Sequence, residues 1–361
     1  MTTHSSRENA FVQALSTLTL APERAGQVYP LLCELAEPEF AELTALANSN
    51  HVVLRALEPL QKMAGTLDDT AFFSRCQSVI VQEKLRISNA VQHLRLITAA
   101  LEAAGCPTTV MKTLDHWPDL GNDLDLYTTA DAKQVRHLMT TCFHARIEPR
   151  SWGDRLANKW NFAVAGLPEA VEVHVQRLGQ TGEHIAMAQR FVSRRVTKSV
   201  LGIDFRVPAP EERIIVATLQ RMYRHFYFRV CDIVNIAALV ESGAVDFVEL
   251  RRAASLGGIW EGVCSLLRIV SDYVLQYRGT PVSLPSEVLS DALFGSEKVY
   301  VKAKFIRVPV VPQGARLYTA QVTAAALRGD LAGTLRLSLL PYLASAAAIS
   351  YKLTGSDKGI W

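Results

Sequence analysis

The chain has 361 residues, 49% hydrophobic and 20% charged, with a formal net charge of +3. This is ordinary globular composition for two or three packed units, and so small a charge neither demands nor excludes nucleic acid. The six cysteines form no CxxC pair and no Cys/His spacing of a zinc site, so reduced, buried thiols are expected. The N-terminal MTTHSSRENA lacks the apolar core of a signal peptide. The most apolar stretch, 337–350, contains Pro341 and falls short of the roughly 20 residues a bilayer requires, so a cytoplasmic protein is expected.

Apolar residues recur at helical spacing over 11–18, 28–35 and 53–63, with Pro22, Pro30, Pro38 and Pro59 near breaks. Residues 70–104 contain neither Pro nor Gly, which predicts one long helix, with Gly105 placed to end it. The period then changes to that of strands, over 108–111 and 123–127. A helix over 131–143, with Thr129 as its cap, and a strand over 145–147 follow. Strands over 160–164 and 171–175 are joined by the short turn AGLPEA. A last strand is expected over 200–207. From 211 the pattern is helical again over 211–227, 230–241, 246–256, 260–277 and most of 318–353, while 299–311 fits either strand or loop. The fold class expected is α+β: a small mixed-sheet core embedded in a large, mostly helical frame. The domains expected are 1–95 (helical), 96–207 (α/β core) and 208–361 (helical).

The informative stretch is MKTLDHWPDLGNDLDLY, followed some fifty residues later by AVEVHVQ. In a strand, side chains two apart share a face, so Asp123 and Asp125 project together while Leu124 and Leu126 face the core. Glu172 stands between Val171 and Val173 on a second strand. If those strands are neighbours, three carboxylates converge, and a divalent cation is the usual remedy for their repulsion. Alone, an Asp-x-Asp is usually a solvated turn; its apolar flanks, the intervening helix and the apolar-flanked Glu172 raise its weight.

This joint pattern resembles the polymerase-β-like nucleotidyltransferases, and within them a bacterial branch of uncharacterised members. The matching pieces are Gly105, Met111-Lys112-Thr113, Asp123-Leu124-Asp125 and Glu172-Val173-His174, together with EERIIVATLQRMYRHFYFRVCDIVNIAALV after Pro210. The resemblance spans about residues 90–270. It implies an Mg²⁺-dependent enzyme, with Mn²⁺ the alternative ion, that moves an NMP from an NTP to an acceptor. Asp123, Asp125 and Glu172 would be the metal ligands and catalytic residues, with Lys112, Thr113, Arg221 and Arg224 on the nucleotide. Thr113 departs from the Gly of the branch, and Leu120-Gly121-Asn122 stands where the branch often carries an Arg.

Lys112 ends a strand where a cation would meet a triphosphate; a surface lysine is the competing reading. His174 should share the face of Glu172, as a neighbour that braces the site more readily than as a metal ligand. Lys159 and Asn161 line the same face or lie at a solvated edge. Arg221, Arg224 and Arg229 either reach phosphate or pair with Asp232 or Glu211, and the aromatics beside them read as core. Lys302, Lys304 and Arg307 are a basic surface. The acceptor stays open among a small molecule, a peptide or protein, and RNA. A catalytically inactive nucleotide- or partner-binding protein on the same fold is the alternative, and a purely helical scaffold is the third reading.

Overall fold

A computed structural model describes residues 2–302 and 304–354. Five helices open the chain: α1 (Thr2–Leu20), α2 (Ala25–Cys33), α3 (Glu37–Ser49), α4 (Val53–Thr66) and α5 (Thr70–Ala103). Asp69 caps α5 by accepting from the backbone N–H of Phe72. At its far end Gly105 takes φ +76, a left-handed conformation that costs glycine little. Between those signals α5 runs unbroken for 34 residues.

The strands β1 (Thr108–Val110), β2 (Asp123–Thr128), β3 (Arg146–Ile147), β4 (Lys159–Ala163) and β5 (Ala170–Val175) form one mixed sheet in the order β1-β2-β5-β4-β3. Only the β2–β5 pair is parallel. Its crossover carries α6 (Ala132–Cys142), which Asp131 rather than Thr129 caps. A short α7 (Trp152–Leu156) precedes β4.

Strand alternation gives the sheet two unlike faces. Leu124, Leu126, Val171, Val173 and Val175 join Val91 and Leu94 of α5 and Val135 and Met139 of α6 in one buried apolar cluster. The opposite face carries Asp123, Asp125, Glu172, His174 and Lys159. Farther along that face Tyr127 packs on Phe191, so only the end carrying the carboxylates is left polar and open.

After α8 (Ile185–Ser193), the strand expected over 200–207 is a two-stranded hairpin, β6 (Arg195–Val200) with β7 (Ile203–Pro208). Leu201-Gly202 forms its tip, both at positive φ. The helix α9 (Pro210–Thr218) ends nine residues before the expected 227, because Leu219–His225 winds as a π-helix and Phe226 sits at φ 54. A Cβ on Gly314 would come 2.5 Å from the Phe226 ring, so glycine there makes room for this irregular turn. Next come α10 (Val230–Glu241), α11 (Phe247–Gly257), α12 (Trp260–Arg278) and α13 (Ser286–Asp291). The ambiguous 299–311 segment contains two short strands, β9 (Tyr300–Lys302) and β10 (Phe305–Arg307), with β10 also paired to β8 (Tyr227–Phe228). The described tail is α14 (Ala315–Leu327), α15 (Leu331–Ser338) and α16 (Leu340–Thr354). Among the described residues, no helix is long and apolar enough to cross a membrane. The fold class is α+β.

Candidate metal and phosphate site

Parallel pairing sets Asp125 of β2 directly against Glu172 of β5, and antiparallel pairing sets His174 against Lys159 of β4. Asp125, Glu172 and His174 each present a ligand atom, and these atoms lie within 4.8 Å of one another. Asp123, two residues earlier on the same face, borders the same recess but stands outside that close group. His174 takes the third place. Strand parity puts it on the face of Glu172, and the β2–β5 pairing brings that face beside Asp125.

Electrostatics separates the carboxyls. Burial raises the proton affinity of Asp125, but the Lys112 ammonium 2.6 Å away and nearby His174 outweigh it and hold the group well below the usual carboxylate range. Asp123 is pushed up to about 6, first by the enclosing protein and then by the charges of Glu172 and Asp125. Burial lowers the pKa of His174 and outweighs the pull of Asp125, so its imidazole is neutral near pH 7. His174 is 8% exposed, and its Nε2 is 3.6 Å from Asp125 Oδ1, beyond hydrogen-bond reach. Neither of its ring nitrogens has a hydrogen-bond partner. Two carboxylates beside an unpartnered, buried, neutral imidazole are a donor set that fits a divalent cation.

The other supports come from distant segments. Thr113 Oγ1 accepts from the backbone N–H of Asp125 at 2.8 Å, so this hydroxyl is engaged with β2. Where the loop before Asp123 carries no arginine of its own, Arg86 of α5 donates to the carbonyls of Leu120 and Gly121 and pairs with Glu169. Lys159 bridges Asp154 and Glu172. Alternation already offers Lys159 to the face of Glu172, and Thr113 is expected on the nucleotide, but no spacing rule points to Arg86.

The carboxylates open onto a recess of about 220 Å³ whose far wall is basic. Arg221, Arg224 and Arg229 reach it from the π-turn and from the residue before α10. Arg221 is 1% exposed and holds Asp232 at 2.7 Å. Arg224 and Arg229 have no carboxylate partner among the described residues, and the Nε of Arg229 is buried without a hydrogen bond. His51, His116 and His225 complete the wall, each with its pKa lowered first by burial and then by neighbouring positive charge. A ledge that can hold a cation thus faces a wall that favours an anion, across a space suited to a few phosphate groups. Lys302, Lys304 and Arg307 do not line this recess.

No family model matches the chain, and no curated protein matches it. Among solved structures, an antigenic nucleotidyltransferase-like protein from Paracoccidioides brasiliensis is similar at 15% identity. That similarity covers 46% of this chain and 86% of that one, at a TM-score of 0.32. A likeness of this size carries no argument, and the chemistry of the site rests on its own residues.

Proposed function

We propose that the protein is a divalent-metal-dependent nucleotidyltransferase that moves an NMP from an NTP to an acceptor hydroxyl, amine or phosphate. One observation carries this reading: Asp125 and Glu172 of the Asp125–Glu172–His174 cluster share a recess with Arg224 and Arg229, two cations without carboxylate partners among the described residues, while His174 lines an adjoining slot that Arg224 also borders. Asp125, Glu172 and His174 would hold the metal, with Asp123 beside them. A bound divalent ion supplies charge for the polyphosphate and lowers the pKa of the attacking group. An imidazole among the donors favours Mn²⁺ over Mg²⁺, which prefers oxygen ligands.

Lys112, Arg224 and Arg229 bind and orient the phosphates, and they stand where charge grows as the leaving pyrophosphate separates. Asp123 borders the recess beside them and would take up the acceptor's proton. Arg221 acts through Asp232, holding the π-turn against the start of α10 so that Arg224 points inward. Thr113 fixes β2 and leaves phosphate to its neighbour Lys112. The acceptor class is open, RNA included, and an inactive nucleotide-binding protein would use the same recess without turnover. Incubation with each α-labelled NTP and a cell extract tests the reading. Label transferred by the wild type and not by Asp125→Ala supports it, whereas NTP binding without transfer to any component supports the inactive alternative.

A further inference from the structure

Both carboxylates of the metal-ligand cluster already carry a cation of the protein's own. Lys112 Nζ lies 2.6 Å from Asp125 Oδ1. Lys159 Nζ lies 3.2 and 3.3 Å from the two oxygens of Glu172, and 2.9 Å from Asp154 Oδ1. Asp154 is itself fixed, accepting from the backbone N–H of Ser151 while its own N–H donates to the Ser151 hydroxyl. His174, the third member, has no hydrogen-bond partner.

The two lysines differ in freedom. The Lys159 side chain is 10% exposed and clamped between two carboxylates. Lys112 is 20% exposed and sits at φ 51, where the chain leaves β1. It borders both the charged recess and an adjoining slot lined by Met111, Leu178 and Leu219, so its ammonium has room to leave Asp125. A positive φ at a non-glycine residue is strain that the surroundings must hold in place, and it gathers at working sites.

An ammonium and a divalent ion compete for the same carboxylate lone pairs, and they repel each other when both are present. We propose that Lys112 and Lys159 are resident counter-ions of the cluster, standing in for the divalent cation until an anion arrives. Lys112 is the exchangeable one: it transfers from Asp125 to an incoming polyphosphate and opens that ligand as the anion brings its own metal. Lys159 stays with Asp154 and limits how much of Glu172 is free. The protein therefore binds free divalent metal weakly and binds it well only together with a polyphosphate. The polyphosphate part rests on the nucleotidyl-transfer reading; competition for the carboxylates does not.

The sign of one measurement separates this from a purely supportive role. Free Mn²⁺ is titrated against the whole protein without nucleotide and followed by electron paramagnetic resonance. Counter-ions lower metal affinity, so Lys112→Met should bind Mn²⁺ on the order of tenfold more tightly than wild type, and Lys159→Met should shift in the same direction. Lysines that merely brace the ligands would give weaker binding when removed, and unchanged or weaker Mn²⁺ affinity in Lys112→Met overturns the proposal. Lys112 is partly exposed, so its variant tests the competition even if Lys159→Met does not fold. Tighter Mn²⁺ with no product from any NTP would keep the counter-ions and remove the transferase. Product from wild type with unchanged Mn²⁺ affinity in Lys112→Met would do the reverse.

Discussion

Arg221 and Arg224 lie three residues apart on one π-turn, and the structure gives them different work. The Arg221 and Asp232 side chains are 2% and 7% exposed and meet at 2.7 Å. Removing one partner of a buried pair strands the other charge, at a typical cost of about 3–5 kcal/mol. Asp232 would keep one compensation, the backbone N–H of Arg229 at 2.7 Å, which places Arg221→Met near the lower end, about 3 kcal/mol. With an unfolding entropy of about 2.1 cal/mol/K per residue, that loss lowers the melting temperature of a 361-residue chain by about 4 °C. Arg224 has no carboxylate partner among the described residues, so Arg224→Met should change stability by no more than about 0.5 kcal/mol. Its loss should appear in nucleotide binding instead: a charge-assisted contact worth about 1.5–3 kcal/mol corresponds to a tenfold to hundredfold rise in Kd. Thermal melts and NTP titrations on both variants decide the matter. If Arg221→Met melts with wild type, or if Arg224→Met destabilises the fold while binding nucleotide normally, this division of labour is wrong.

Asp125→Asn and Glu172→Gln should each stop label transfer while leaving the far-ultraviolet circular dichroism of wild type, because each removes a ligand charge and little volume; full turnover by either would take it out of the site. With His174 among the ligands, transfer should run faster with Mn²⁺ than with Mg²⁺ at equal concentration, and His174→Asp, which offers only oxygen, should reverse that preference. Stability should also fall in acid through the recess histidines. Burial, followed by Arg229 and Arg221, holds His51 at about 3, and His116 is lowered too, whereas an unfolded histidine titrates near 6.5. Their neutral forms belong to the fold, so this contribution is complete above about pH 6.5 and is lost as the pH falls toward 3. Urea midpoints from pH 7.5 to 4.5 should decline less steeply in His51→Gln than in wild type.

Much of this architecture is visible in residue order because it depends on local rules. The helix α5 follows from an uninterrupted apolar period closed by Gly105. The shared face of Asp123 with Asp125, and of Glu172 with His174, follows from the two-residue period of a strand. The stop of α9 at Thr218 is not visible there, because the helical pattern continues through RMYRHFYFR and only packing, with Gly314 against Phe226, imposes the π-turn. Strand parity names which side chains point together, but not which strand lies beside which. The parallel pairing of β2 with β5 is made across a crossover of more than forty residues, and it alone sets Asp125 against Glu172 and admits His174 ahead of Asp123. Arg86, His51 and His116 reach the site from separate elements with no periodic relation to the acidic strand. Periodicity can act only within one element, whereas charges meeting across a recess depend on how the elements pack, and that belongs to the folded chain.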